Sequence, residues 1–213
     1  MTHTNSLETA KLLLLRELFA SSTHDASTVM CRWTDSVISL QLDDVYDLPL
    51  EDACKDLHIG EELLTMVVLS LEGELGGSMV LTFNELDGRR LAASLLQTEI
   101  NPGPDWNEME KSALAETGNI LGCAYVNALT RLIDQPLVPS VPHFLQDYGM
   151  SVVQQALAFQ AAARDTVLIC NTCFKQEGEE LNWWLLFVPS VALLAAIRTA
   201  LANRASPPCR SER

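Results

Sequence analysis

Thr65-Met-Val-Val-Leu-Ser-Leu-Glu72, then Gly73-Glu-Leu75, then Gly76-Gly-Ser-Met-Val-Leu-Thr-Phe83 sets two apolar, β-branched runs on either side of a short acidic turn. Runs of this length and type around a glycine-bearing turn predict a β-hairpin. A second such pair stands later in the chain, Asp165 to Phe174 and Asn182 to Val188, around the polar turn Lys175 to Glu180. Outward from the hairpins, Ser36 to Leu42 and Leu137 to Val141 read as single strands. Helical patterns cover Leu7 to Ala20, with Asn5 and Ser6 as candidate caps, Leu86 to Leu96, Trp106 to Ile133 and Val191 to Asn203. Leu48 to Leu64 and Asp147 to Arg164 read as two further helices.

The order helix, strand, helix, hairpin, helix therefore occurs twice. A slide of 99 residues lays Glu17 on Glu116, Arg32 on Arg131 and Leu42 on Val141, and one of 104 lays Phe83 on Phe187. The expected class is α+β: a tandem, pseudo-two-fold duplication with about six mainly antiparallel strands and helices packed on them. The expected domain is a single unit over 1–205, made of halves at about 5–98 and 105–205. They meet at the turn-rich linker Gln97 to Asp105, and 206–213 form a disordered tail.

Composition narrows the function. Of 213 residues, 48% are hydrophobic and 20% charged, which is globular usage, and 28 acidic against 14 basic residues give a net charge of −14. A surface so acidic repels nucleic-acid phosphate and anionic lipid. The longest apolar stretch, Trp183 to Ile197, contains Pro189 and Ser190 and is shorter than a bilayer requires. The run Leu12 to Leu15 ends at Arg16 and Glu17, too soon for a secretory signal, so a cytoplasmic protein is expected. Cys31, Cys54, Cys123, Cys170, Cys173 and Cys209 are irregularly spaced and read as reduced thiols.

The chemistry is concentrated in Ser112-Ala-Leu-Ala-Glu116-Thr-Gly-Asn119-Ile-Leu-Gly-Cys-Ala-Tyr-Val-Asn127-Ala-Leu129. On a helix, Ser112, Glu116 and Asn119 fall within about 60° of one another, while Leu114, Leu121, Tyr125, Ala128 and Leu132 cluster on the opposite side. That spacing alone also fits a solvated helix face. Gly118-Asn119, however, are poor helix formers in mid-helix, and a locally unfavourable choice needs a reason.

The pattern Ser112-x3-Glu116-x2-Asn119, followed by Asn127-Ala-Leu and then, with twenty-two residues intervening after Asn119, by Pro142, resembles the signature of the CheC-type chemotaxis phosphatases, the CheC/CheX/FliY family. Glu-Thr-Gly-Asn-Ile-Leu-Gly and the turn Pro139-Ser-Val-Pro142 strengthen the resemblance, which spans most of the chain. It implies an enzyme that removes the phosphoryl group from the aspartate of a CheY-like response regulator. Glu116 would reach a lysine of the regulator, Asn119 would hold a water in line with the acyl phosphate, and Ser112 would assist at the edge. The residue types suit the task, because phosphoryl transfer is chiefly positioning and electrostatics, and a neutral amide orients water without repelling phosphate. Magnesium would come from the regulator, and no cofactor or metal of the chain's own is implied.

The first half departs from the pattern. Leu13, Glu17 and Ala20 stand opposite Ser112, Glu116 and Asn119, so the amide is missing and one active site is expected. The alternative is a non-catalytic module that binds a response regulator or a CheD-like deamidase. Other features read as structural. Cys170-Asn-Thr-Cys173 lies in a predicted strand without a second ligand pair, His3, His24, His58 and His143 are scattered, and Trp183-Trp184 suit packing. Asp43, Asp44, Asp47, Glu51 and Asp52 read as a solvated loop and helix face, or as a docking patch for a basic partner.

Overall fold

The computed structural model describes residues 2–35, 38–49, 63–149, 151, 166–176 and 179–205. In chain order the elements are α1 (Thr2–Trp33), β1 (Ile38–Pro49), β2 (Leu63–Glu72), β3 (Gly77–Phe83), α2 (Glu85–Leu96), α3 (Glu108–Ile133), β4 (Val138–Pro139), β5 (His143–Tyr148), β6 (Thr166–Gln176), β7 (Glu179–Pro189) and α4 (Val191–Ala205). The class is α+β, as the alternating patterns predict.

Both expected hairpins form, β2 with β3 and β6 with β7, and all pairings are antiparallel. The strand order is β1-β6-β7-β3-β2-β4, with β5 also on β2. Each hairpin thus takes a single strand from the other half of the chain as its outer neighbour: β1 lies on β6 and β5 on β2. The centre of the sheet is the β3–β7 pair, where Leu81 stands opposite Leu185.

Alternation along the strands explains the core. Val67, Leu69 and Leu71 of β2, Met79, Leu81 and Phe83 of β3, and Leu185 and Phe187 of β7 point to one face and join Phe19, Met30, Leu114, Leu121, Tyr125 and Leu193 from the helices. Met66, Val80, Leu186 and Val188 are buried on the opposite face, so these strands read as continuous apolar runs rather than as alternating ones. α1 and α3 pack through Phe19 and Tyr125, with ring centroids 4.9 Å apart, and the Tyr125 and Thr23 hydroxyls are hydrogen-bonded at 2.7 Å. No helix among the described residues is long and apolar enough to cross a membrane.

Several boundaries differ from expectation. α1 begins at Thr2, so Asn5 and Ser6 lie inside the helix rather than capping it, and it continues well beyond Ala20 to Trp33. β1 runs through Asp43 and Asp44 to Pro49, with a register shift between Leu42 and Asp44, so these acids belong to a strand and not to a loop. Arg16 donates to the Asp43 carbonyl at 3.0 Å and lies 3.6 Å from the Asp44 carboxylate, which ties α1 to this irregularity. The helix read over Leu48 to Leu64 is strand at both described ends, and its middle lies outside the described residues. The strand expected at Leu137 to Val141 is only two residues, and a further one, β5, takes in Asp147 and Tyr148, which the sequence assigned to a helix. The remainder of that expected helix lies almost wholly outside the described residues. Lys175 and Glu180 are paired within the β6–β7 ladder instead of forming a turn. The described sheet accordingly has seven strands rather than about six. The expected tail, 206–213, lies outside the described residues.

Candidate active site

α3 carries the motif, and its sequence fixes both ends of the helix. Asn107 is the N-cap: its side chain accepts from the Glu110 amide at 2.9 Å, and Glu110 accepts from the Asn107 amide at 2.8 Å. Glu110 is 5% exposed and also accepts from the Asn101 side chain at 3.1 Å, so the linker is tied to the cap. At the far end Asp134 adopts a left-handed conformation with φ of 55°.

The helix is seated on β2 by two small residues. A Cβ at Gly118 would overlap the Val67 side chain, meeting its Cβ at 3.0 Å, and one at Gly122 would lie 3.0 Å from Leu69 Cδ2. The glycine that is unfavourable in mid-helix therefore has a packing reason: it lets the helix axis approach the strand. Thr117, wholly buried beside it, donates to the Ala113 carbonyl at 3.1 Å. Leu114, Leu121, Tyr125, Ala128 and Leu132 are all buried, as the helical spacing predicts.

The opposite face carries the candidate residues. Ser112 and Glu116 are exposed and Asn119 is half-buried. Asn119 takes a bond that sequence reasoning did not assign: the Cys123 thiol donates to its Oδ1 at 3.4 Å. Burial, and secondarily the charge of Glu116, push the Cys123 thiol above its ordinary value, so it stays a protonated donor at neutral pH. The signal was present in the sequence, because Cys123 follows Asn119 by one helical turn and falls within the same stripe. Met109, 67% exposed, stands one turn before Ser112.

This geometry is a polar stripe on the outer surface of an anchored helix, not a cleft. It can reach into a cavity that a partner supplies. α1 has the matching outward surface, on which Leu13 is 54% exposed and Glu17 and Ala20 are exposed. Among the described residues no three His, Cys, Asp or Glu side chains are grouped to hold a metal ion. Cys170 and Cys173 lie within β6, opposite Val45 and Gln41 of β1. His24 and His143 are exposed, on α1 and β5.

No protein-family model matches the chain. In sequence it is similar to the protein named "Putative CheY-P phosphatase CheC1" from Halobacterium salinarum, 20% identical over 151 residues, with 71% of this chain and 76% of that protein covered. It is also similar to the CheY-P phosphatase CheC of Bacillus subtilis, 22% identical over 189 residues, with 87% and 90% covered. Its fold matches FliY of Thermotoga maritima with a TM-score of 0.72 at 13% identity, over 91% of this chain and 96% of that one. The chain is thus similar in sequence to proteins named CheC and in fold to FliY. A fourth match is a chain of the CheX–CheY–BeF3–Mg2+ complex of Borrelia burgdorferi, with a TM-score of 0.52 and 18% identity over 81% of this chain and 97% of that one. This chain carries Ser112, Glu116 and Asn119 together on α3, and on α1 only the glutamate, Glu17.

Proposed function

We propose that the chain is a phosphatase that hydrolyses the phospho-aspartate of a CheY-like response regulator, in chemotaxis or a related two-component pathway, with one active site, on α3. The observation that carries this reading is the outward stripe of Ser112, Glu116 and Asn119 on a helix locked to β2 by Gly118 and Gly122. Glu116, exposed on this stripe, is suited to pair with a lysine of the regulator. Asn119, held one turn further along, is suited to direct a water at phosphorus on the side opposite the aspartate oxygen. The P–O bond to the aspartate breaks, the carboxylate leaves, and inorganic phosphate is released. An amide at this position neither repels the phosphoryl oxygens nor competes with water as a nucleophile, so its contribution is alignment. Ser112 borders the stripe and adds a hydroxyl to the contact. Magnesium, in this reading, belongs to the regulator, where it neutralises the phosphoryl oxygens.

The relatives named as CheY-P phosphatases and the fold shared with a CheX–CheY complex support the reading. So does the outer-surface geometry, because a protein substrate brings its own cleft. The mirrored strand exchange and the matching outward surfaces of α1 and α3 support a duplicated origin, with halves at about 5–98 and 105–205 forming one domain. The acidic composition and the partner class are consistent with a cytoplasmic setting.

The test is the decay of phosphorylated response regulators from the same cell, with magnesium, in the presence of the wild-type chain or Asn119→Ala. Acceleration by the wild type and its loss in Asn119→Ala, with regulator binding retained, is the expected result. Failure to accelerate any regulator, with binding intact, would leave a binding module instead.

A further inference from the structure

We propose that Cys123 is a positioning residue for Asn119, its thiol fixing the orientation of the side-chain amide that the phosphatase reading assigns to water; the inference rests on that reading. The geometry is specific. Cys123 Sγ donates to Asn119 Oδ1 at 3.4 Å across one turn of α3, so the carbonyl end of the amide is drawn along the helix toward the sulfur and the NH2 end is presented at the other side of the stripe. A cysteine in a helix ordinarily has the main-chain carbonyl one turn back within reach; here the thiol bonds instead to the side chain at that same position. The turn that carries both residues is rigid, because Gly118 and Gly122 are pressed against Val67 and Leu69 of β2.

An asparagine amide on a helix surface otherwise turns freely between orientations that exchange its donor and acceptor ends, and a single contact that selects one of them lowers the entropy lost when the transition state is reached. The raised thiol pKa supports the role, since a thiolate has no proton to donate and would repel the phosphoryl oxygens. The inference assigns no covalent step to sulfur: the thiol holds its proton throughout, and the chemistry remains between water and phosphorus.

The experiment compares the full-length wild type with Cys123→Ala and Cys123→Ser, using a phosphorylated CheY-like regulator with magnesium. The Asn119 NH2 resonances are followed in parallel by NMR and assigned through their disappearance in Asn119→Ala. Alanine is a good helix former, so Cys123→Ala retains the helix. A weak S–H···O bond supports a fall in kcat of about three- to fivefold in Cys123→Ala, with KM unchanged. The two Asn119 NH2 signals should also move toward those of a freely rotating amide. Cys123→Ser, which keeps a donor, should retain both the rate and the signals. Unchanged kcat and unchanged amide signals in Cys123→Ala would overturn the proposal. So would an equal loss in Cys123→Ser, which would reduce Cys123 to a packing residue. If the wild type accelerates no regulator but the amide signals still respond to Cys123→Ala and not to Cys123→Ser, the phosphatase reading falls while the positioning contact stands.

Discussion

Gly118 exchanges helix propensity for proximity. Alanine at this position favours the helix by up to ~1 kcal/mol, but its Cβ would have to displace Val67 on the central part of β2, and overpacking of this kind costs about 1–3 kcal/mol. Gly118→Ala is therefore expected to lower stability by about 1–2 kcal/mol, read as a lower urea midpoint at unchanged slope. Val67→Ala removes the obstructing methyls, so the double variant should be more stable than the sum of the two single losses predicts, with a coupling of about 1 kcal/mol. Additive losses would mean that the helix and strand are not in contact at this point. The same residue corrects a functional inference. The sequence offers Gly118-Asn119 as one anomaly pointing to the site, yet the glycine serves packing and only the asparagine faces outward. Adjacent residues on a helix point about 100° apart, so one dipeptide can answer to two unrelated demands.

Between elements, the segment joining α2 to α3 is held from α2 by one buried side chain. Arg89 of α2 is 6% exposed, donates to Glu85 Oε1 at 2.8 Å and to the carbonyls of Pro104 at 3.0 Å and Asn101 at 3.4 Å, and lies 4.6 Å above the Trp106 ring. It thus clamps the segment before α3 to α2. Arg89→Met keeps the stem but strands two carbonyls, so a loss of about 1–3 kcal/mol in urea unfolding is expected, with α3 still formed by circular dichroism. An unchanged midpoint would show that water satisfies those carbonyls equally well. The same scale separates what was legible in the sequence from what was not. α2 and α3 were legible from their apolar periodicity, and the fold adds side-chain caps at their starts: Asn84 accepts from the Asp87 amide, and Asn107 with Glu110 forms a capping box. α1 was read short because Ser21 to Thr28 is rich in residues of modest helix propensity. In the fold Ser22, Thr23 and Thr28 donate back to the carbonyls of Leu18, Phe19 and His24, and the helix continues. β5 was missed because His143-Phe-Leu-Gln-Asp-Tyr148 is a mostly exposed strand beside β2, with only Phe144 and Asp147 half-buried, which leaves little apolar alternation to read. The carboxylates of β1 hid a strand for a similar reason, since its extension beyond Leu42 depends on pairing with β6, a segment more than a hundred residues away.

Across the whole molecule, the exchange of single strands between hairpins makes each half depend on the other: without β1 the β6 edge is open, and without β5 the β2 edge is open. Such mutual dependence keeps α1 in place by packing, whether or not its outward residues do chemistry. Phe19 and Thr23 of α1 meet Tyr125 of α3 in the core, whereas Leu13 and Ala20 on the surface have no polar counterpart to Ser112 and Asn119. If only α3 docks a regulator, titration of the chain with a regulator held in its activated form by beryllofluoride and magnesium should saturate at one regulator per chain by calorimetry. Glu116→Ala should weaken that binding by about tenfold, the scale expected for losing one interfacial ion pair, while Glu17→Ala should leave it unchanged. Added salt should weaken the wild-type complex more than the Glu116→Ala complex, since the pair being screened is absent from the variant. Saturation at two regulators per chain, with one class of site lost in Glu17→Ala, would mean that α1 also docks a regulator, without the amide. Binding would then be more tolerant of substitution than hydrolysis, because a carboxylate on an exposed helix pairs with a lysine over a range of geometries, whereas a water must be aligned with phosphorus along a single line.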